Sequence, residues 1–123
     1  MDAPQKTKSV LIAAQDARLA GLIQQYLLKT GFSAHCEFNL DAALEKIVAS
    51  PVDLLIVDGE LPEKVLRNFV ETVAQVKPNV QMIAVGLSDH ELQSKSLSAF
   101  VSKFVEKPFS ISDISSIIKE TLN

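Results

Sequence analysis

The chain has 123 residues, 47% of them apolar and 22% charged, the composition of a folded globular domain with a sizeable core. A formal net charge of −3, with the basic residues scattered, excludes the clustered Lys and Arg surface that direct nucleic-acid binding needs. A lone cysteine, Cys36, excludes an internal disulfide, and no long apolar run opens the chain, so a cytoplasmic protein with no signal peptide and no membrane span is expected.

Residues 1–8 are polar and read as a flexible lead-in to one domain over 9–123. Ser9 to Ala14 reads as a first buried strand. Asp16 then opens a helix with Leu19, Leu22, Ile23, Tyr26 and Leu27 on one face, and Gly31 closes it. Ser33 to Phe38 is a second strand, in which Cys36 between His35 and Glu37 reads as an ordinary strand thiol. Asn39 caps a second helix carrying Leu40, Leu44, Ile47 and Val48 inward, and Pro51 stops it. Asp53 to Val57 forms a third strand ending on Asp58, and Lys64 to Val76 a third helix with Val65, Leu66, Phe69, Val73 and Val76 at core spacing.

Pro78-Asn79 turns the chain into a fourth strand from Val80 to Val85 or Leu87. Ser88 and Glu91 form a capping box that starts a fourth helix, running as far as Leu97. Val101 to Val105 is a short fifth strand. Ser110 opens the last helix, with Ile111, Ile114, Ile117 or Ile118, and Leu122 facing the core. Strand and helix alternate five times, the pattern of a doubly wound α/β sandwich with right-handed crossovers. The last helix reaches Asn123 without a linker, which reads as the edge of a domain taken from a longer chain.

The run Leu54 to Val57 is uniformly apolar and ends on a carboxylate, Asp58, followed by Gly59 and Leu61-Pro62. A strand of that kind is covered on both faces, as in parallel sheets, and such sheets carry their chemistry just past the strand C-termini. Asp58 therefore stands where a functional group is expected. The two histidines, His35 and His90, lie in different elements and make no zinc pattern. No nucleophile elbow and no glycine-rich phosphate loop is present.

Asp58 with Leu61-Pro62 after the third strand, and Lys107-Pro108-Phe109 after the fifth, stand in a fixed order within five βα units. Over essentially its whole length the chain resembles the receiver domains of two-component response regulators. That resemblance implies a flavodoxin-like (βα)5 fold with parallel sheet order 2-1-3-4-5. It implies a regulatory, non-enzymatic module of phosphorelay signalling, with Asp58 as phosphoacceptor, Lys107 as the lysine that contacts the phosphoryl group, and Phe104 as the switch aromatic. It also implies a cis Lys107-Pro108 bond. Its partners would be a sensor kinase or effector domain, with a homodimer through the face of the fourth helix, fifth strand and last helix. In this chain that face would hold Leu92, Phe100, Val101, Lys103, Val105 and outward residues of 112–120, with Phe100 exposed as an anchor.

The departures from the family pattern bear on the chemistry. The acidic pair that holds Mg2+ in the family falls on Ala14 and Gln15, and the Ser or Thr ending the fourth strand falls on Gly86. Mg2+ requires a near-octahedral oxygen shell, ordinarily with one or two carboxylates. Asp58 supplies one, and Asp16 could add another only if the first turn rearranges; as an N-cap it has a structural task already. Phosphoryl transfer depends on positioned cations, so an impaired Mg2+-dependent phosphorylation is expected and no cofactor is required. Asp58 and Lys107 could instead neutralise each other as an ion pair. A phospho-switch with a rearranged Mg2+ site is the alternative. A nucleotide-binding domain on the same scaffold is disfavoured by the absence of a glycine-rich loop after Ala14.

Overall fold

The structure, a computed structural model, describes residues 7–86, 97, 99–106 and 109–122. Five parallel strands, β1 (Ser9–Ala13), β2 (Ser33–Glu37), β3 (Leu54–Asp58), β4 (Gln81–Val85) and β5 (Lys103–Val105), form one sheet in the order β2-β1-β3-β4-β5. The described helices are α1 (Ala17–Lys29), α2 (Leu40–Ala49), α3 (Glu63–Val76) and α4 (Ile111–Leu122). The expected sheet order is thus found. The helix expected from Ser88 lies outside the described residues, apart from its final Leu97, which is buried and not helical.

Each side of the sheet has its own core, set by the two-residue alternation of strand side chains. Leu11, Leu55 and Met82 face a cluster closed by α2 and α3 through Ile47, Leu66, Phe69 and Val73. Val10, Leu54, Ile56 and Ile83 face a second cluster closed by α1 and α4 through Ile23, Leu27, Ile114 and Ile118. All five residues of β3 are buried, as the apolar run requires of a central strand. Asp53 ties the start of β3 to β1: its carboxylate accepts from the Ser9 backbone N–H at 2.8 Å.

The helix ends follow their capping residues. Asp16 accepts from the N–H groups of Arg18 and Leu19, and Asn39 from those of Asp41 and Ala42. At the C-terminus of α1, Gly31 takes φ 94°, and Phe32 and Gly31 donate to the Leu27 and Leu28 carbonyls, the paired pattern of a Schellman turn. Ser110 and Asp113 exchange bonds between backbone N–H and side-chain oxygen at the start of α4. A Tyr26 to Ser115 hydroxyl hydrogen bond joins α1 to α4.

Four expected core residues lie outside. Leu22 and Val48 are each more than half exposed, and Val65 and Val76 nearly so. At about 100° per residue, each lies well off the centre of its helix's buried stripe, where Ala20, Ala43 and Val70 sit instead. Counting only large apolar residues shifted the stripe; small alanines against the sheet hold its true centre. Phe100, expected to be exposed, is half-buried and packs on the α2–α3 core. Val101 and Val105, expected on an outward face, are 4% and 5% exposed: Val101, ahead of β5, joins the α2–α3 core, and Val105 at the end of β5 joins the α1–α4 core.

Candidate functional site

The strand register decides which residues share the C-terminal edge of the sheet. Ala13 pairs with Val57, Val57 with Ala84, and Ala84 with Phe104. One residue further, Asp58 pairs with Val85 and Val85 with Val105, and Ala14 follows Ala13 at the same level. Gly86 is the next residue after that row. The carboxylate of Asp58, the alanine of β1's end and the glycine of β4's end are therefore brought to one edge by backbone pairing alone.

Asp58 is 7% exposed, and its Oδ1 accepts from the Glu60 backbone N–H at 2.9 Å. This is an Asx turn: the carboxylate fixes the exit of β3. Further interactions hold Asp58, Gly59 and Glu60 in place. The Gly59 N–H donates to the Val85 carbonyl, so the β3 ladder continues one step beyond the strand. Leu61 is buried under the loop, and α3 begins directly after Pro62.

Ala14 is buried against the α1 side of the sheet, and Gln15 beside it is exposed. Asp16 is exposed and spends Oδ1 on the cap of α1, at 3.0 and 3.3 Å from the Arg18 and Leu19 nitrogens. Gly86 adopts φ 97°, a left-handed backbone that disfavours any residue with a Cβ, and its N–H donates to the Val105 carbonyl at 2.8 Å. Phe104 is half-buried on the edge strand, one residue short of Asp58's level. Lys107 and Pro108 lie outside the described residues, and with them the expected ion pair and the Lys107-Pro108 peptide bond. Among the described residues no group of three or more His, Cys, Asp or Glu side chains could hold a metal ion.

The sequence pattern of the response regulator receiver domain matches residues 10–119. The chain belongs to that family. The receiver is 22% identical over 121 residues to the transcriptional regulatory protein CrdR of Helicobacter pylori, covering 94% of this chain and 55% of that protein. It thus spans about half the length of this curated relative. A response regulator from Thermotoga maritima superposes with a TM-score of 0.84 at 20% identity, over 95% of this chain and 98% of that one. A CheY-like receiver domain protein from Methanospirillum hungatei JF-1 does so with a TM-score of 0.84 at 25% identity, over 95% and 94%. The receiver is therefore a two-component signalling domain with the flavodoxin-like fold. No described helix is long and apolar enough to cross a membrane.

One feature of this edge was not singled out from the sequence. A cavity of about 400 Å³ opens beside Ala14 and Gln15, walled by Phe38, Leu40, Leu61 and Val65. An apolar residue just before an N-cap commonly staples onto the fourth helical residue. Here that residue is Ala43, already buried, and Phe38 stays 54% exposed at the cavity mouth. An aromatic before an N-cap with alanine at the stapling position was the available signal.

Proposed function

We propose that this receiver acts as a regulatory protein-interaction module whose Mg2+-dependent phosphorylation at Asp58 is impaired. The observation that carries the reading is the row at the strand ends: Asp58 stands level with a buried alanine, Ala14, where the family pattern calls for a carboxylate. Asp16, the nearest acid on that turn, is engaged as the cap of α1. The donor set does not fit Mg2+, which needs oxygens that Ala14 cannot offer and for which Gln15 brings only a neutral carbonyl.

Gly86 supports the same reading. Its left-handed backbone, bonded to Val105, is unsuited to the serine or threonine that would bind a phosphoryl group there. Transfer to Asp58 would then lack both a positioned cation and a positioned hydroxyl, the two elements that stabilise developing charge. Asp58 keeps a structural task, holding the β3 exit through the Glu60 N–H. Lys107 is the expected counter-charge, and Phe104 reports packing on the edge strand rather than phosphorylation. The domain is not an enzyme in this reading, and signals by presenting surfaces to a kinase or effector domain.

Incubation with Mg2+ and a small phosphodonor, followed by intact-mass measurement, tests this. The expected result is no added phosphoryl mass on the wild-type chain. An adduct that Asp58→Asn abolishes would establish the phospho-switch instead.

A further inference from the structure

Two surfaces on opposite sides of the sheet are left with apolar groups in water. The first is a groove between α2 and α3. The cavity at the strand ends continues into a second one of about 290 Å³, the two sharing Leu40, Asp41 and Val65 and reaching along α3 to Thr72. Its floor is Leu44 and Phe69, Phe38 and Val65 stand exposed on its walls, and its one ionised lining residue is a carboxylate, Asp41. Glu63 lies exposed at its entry beside Pro62, with Lys64 the neighbouring base.

The second surface is the outer face of α1. Arg18, Leu22, Gln25, Leu28 and Lys29 are all exposed, and at about 100° per residue they fall within roughly a third of the helix circumference. Leu22 and Leu28 are 56% and 54% exposed. The helix carries Arg18 and Lys29 and no acid. On the same arc lies Gly21, whose absent Cβ would meet nothing within 4 Å, so nothing in its own chain requires a glycine in mid-helix. Its effect is a flat spot beside the exposed Leu22, where another surface can approach the helix backbone.

We propose that the outer face of α1 docks into the α2–α3 groove of a second copy of this chain. The match is of charge as well as shape: a basic, acid-free helix against a groove whose lining charge is a carboxylate, with Leu22 and Leu28 as anchors between i and i+6. Because α1 and the groove lie on opposite faces of the sheet, one protomer cannot satisfy both. The contact is therefore head-to-tail, and each copy keeps a free helix and a free groove for further copies. The assembly does not pass through Asp58, so it stands or falls independently of the phosphorylation reading.

Sedimentation velocity on the purified chain across a concentration series tests the proposal. The expected result is growth beyond the dimer as concentration rises, weakened by added salt because the matched charges are exposed. Leu22→Glu disables the helix and Val65→Glu the groove, so each variant alone is expected to be monomeric. Mixed together they are expected to form a complex of two copies and stop there, since one good helix and one good groove remain. Both positions are exposed, and an unchanged circular dichroism melt verifies folding; Arg18→Glu and Asp41→Lys probe the charges alone, each expected to weaken assembly by itself and the mixture to regain growth, since both cross-contacts then pair opposite charges. A monomer at every concentration overturns the proposal. So does a wild-type dimer that never grows, or assembly indifferent to both substitutions.

Discussion

The ends of β3 and β1 lie side by side at the same level of one sheet, yet they have been filled by different rules. β3 runs through five buried residues and ends on Asp58, a carboxylate tied into the turn that follows. β1 runs through the same core and is followed by Ala14, an apolar residue buried like the ones before it. The strands need to be apolar for the fold; the residue after them is free to serve chemistry or simply to extend the core. In the proposed function, the receiver scaffold is kept while packing at Ala14 stands in place of the cation half of its site.

Substitutions at the two kinds of position should therefore separate. The largest loss is expected from Leu55→Ala, in the middle of β3 and fully buried: about 2–5 kcal/mol by urea denaturation, from lost burial and the cavity left behind. If Leu55→Ala costs less than about 1 kcal/mol, the central strand is not the pillar described. By contrast, Ala14→Asp with Gln15→Asp places carboxylates at the mouth of the sheet. This double variant should lower stability without Mg2+ and recover it when Mg2+ is added, whereas the wild-type melting temperature should not respond to Mg2+. The direction follows from like charges set beside Asp58 and a cation that relieves them.

Smaller effects probe the caps and contacts around that edge. Asp16→Ala should cost about 1 kcal/mol through the lost cap of α1, with no change in phosphodonor reactivity; a large change in reactivity would restore Asp16 to the metal site. Tyr26→Phe removes the hydroxyl bond between α1 and α4 and should cost about 1 kcal/mol, leaving Ser115 buried without that partner. Gly21→Ala should stabilise the monomer by up to about 1 kcal/mol in thermal melts, since the added methyl meets nothing in its own chain. The smallest effect concerns Cys36, whose thiol burial, and then Glu37, push above its ordinary range. A raised folded value means the folded state holds the proton longer. Stability from this group is thus full below the ordinary thiol range and falls as pH rises through it, and Cys36→Ala should flatten that alkaline decline.

Much of this was legible in the chain itself. The alternation of apolar strands with capped amphipathic helices gave the fold class and the cap residues Asp16, Asn39 and Ser110, because each rests on local chemistry, while the sheet order came with the resemblance to receiver domains. Asp58 stood out as the end of an apolar run, whereas Ala14 and Gly86 became positions of interest only through the resemblance to receiver domains. What could not be read was the exact facing of helices and the fate of single aromatics. Leu22, Val48, Val65 and Val76 were placed inward because size was taken for burial, while Ala20 and Ala43, small enough to sit tight on the sheet, took the centre. Val105 went the other way: three residues of β5 are too few for periodicity to tell inside from outside. The α2–α3 groove depends on how two helices meet, which no local pattern encodes.

The proposed impairment follows from Asp58 standing level with a buried Ala14, which offers a divalent cation no oxygen. Backbone amide NMR shifts of Ala14, Gln15, Asp58 and Gly59 during a Mg2+ titration measure this directly. The account predicts shifts that stay small and do not saturate, at the level of a general ionic-strength effect. Saturable shifts confined to those residues, and lost in Asp58→Asn, would contradict it.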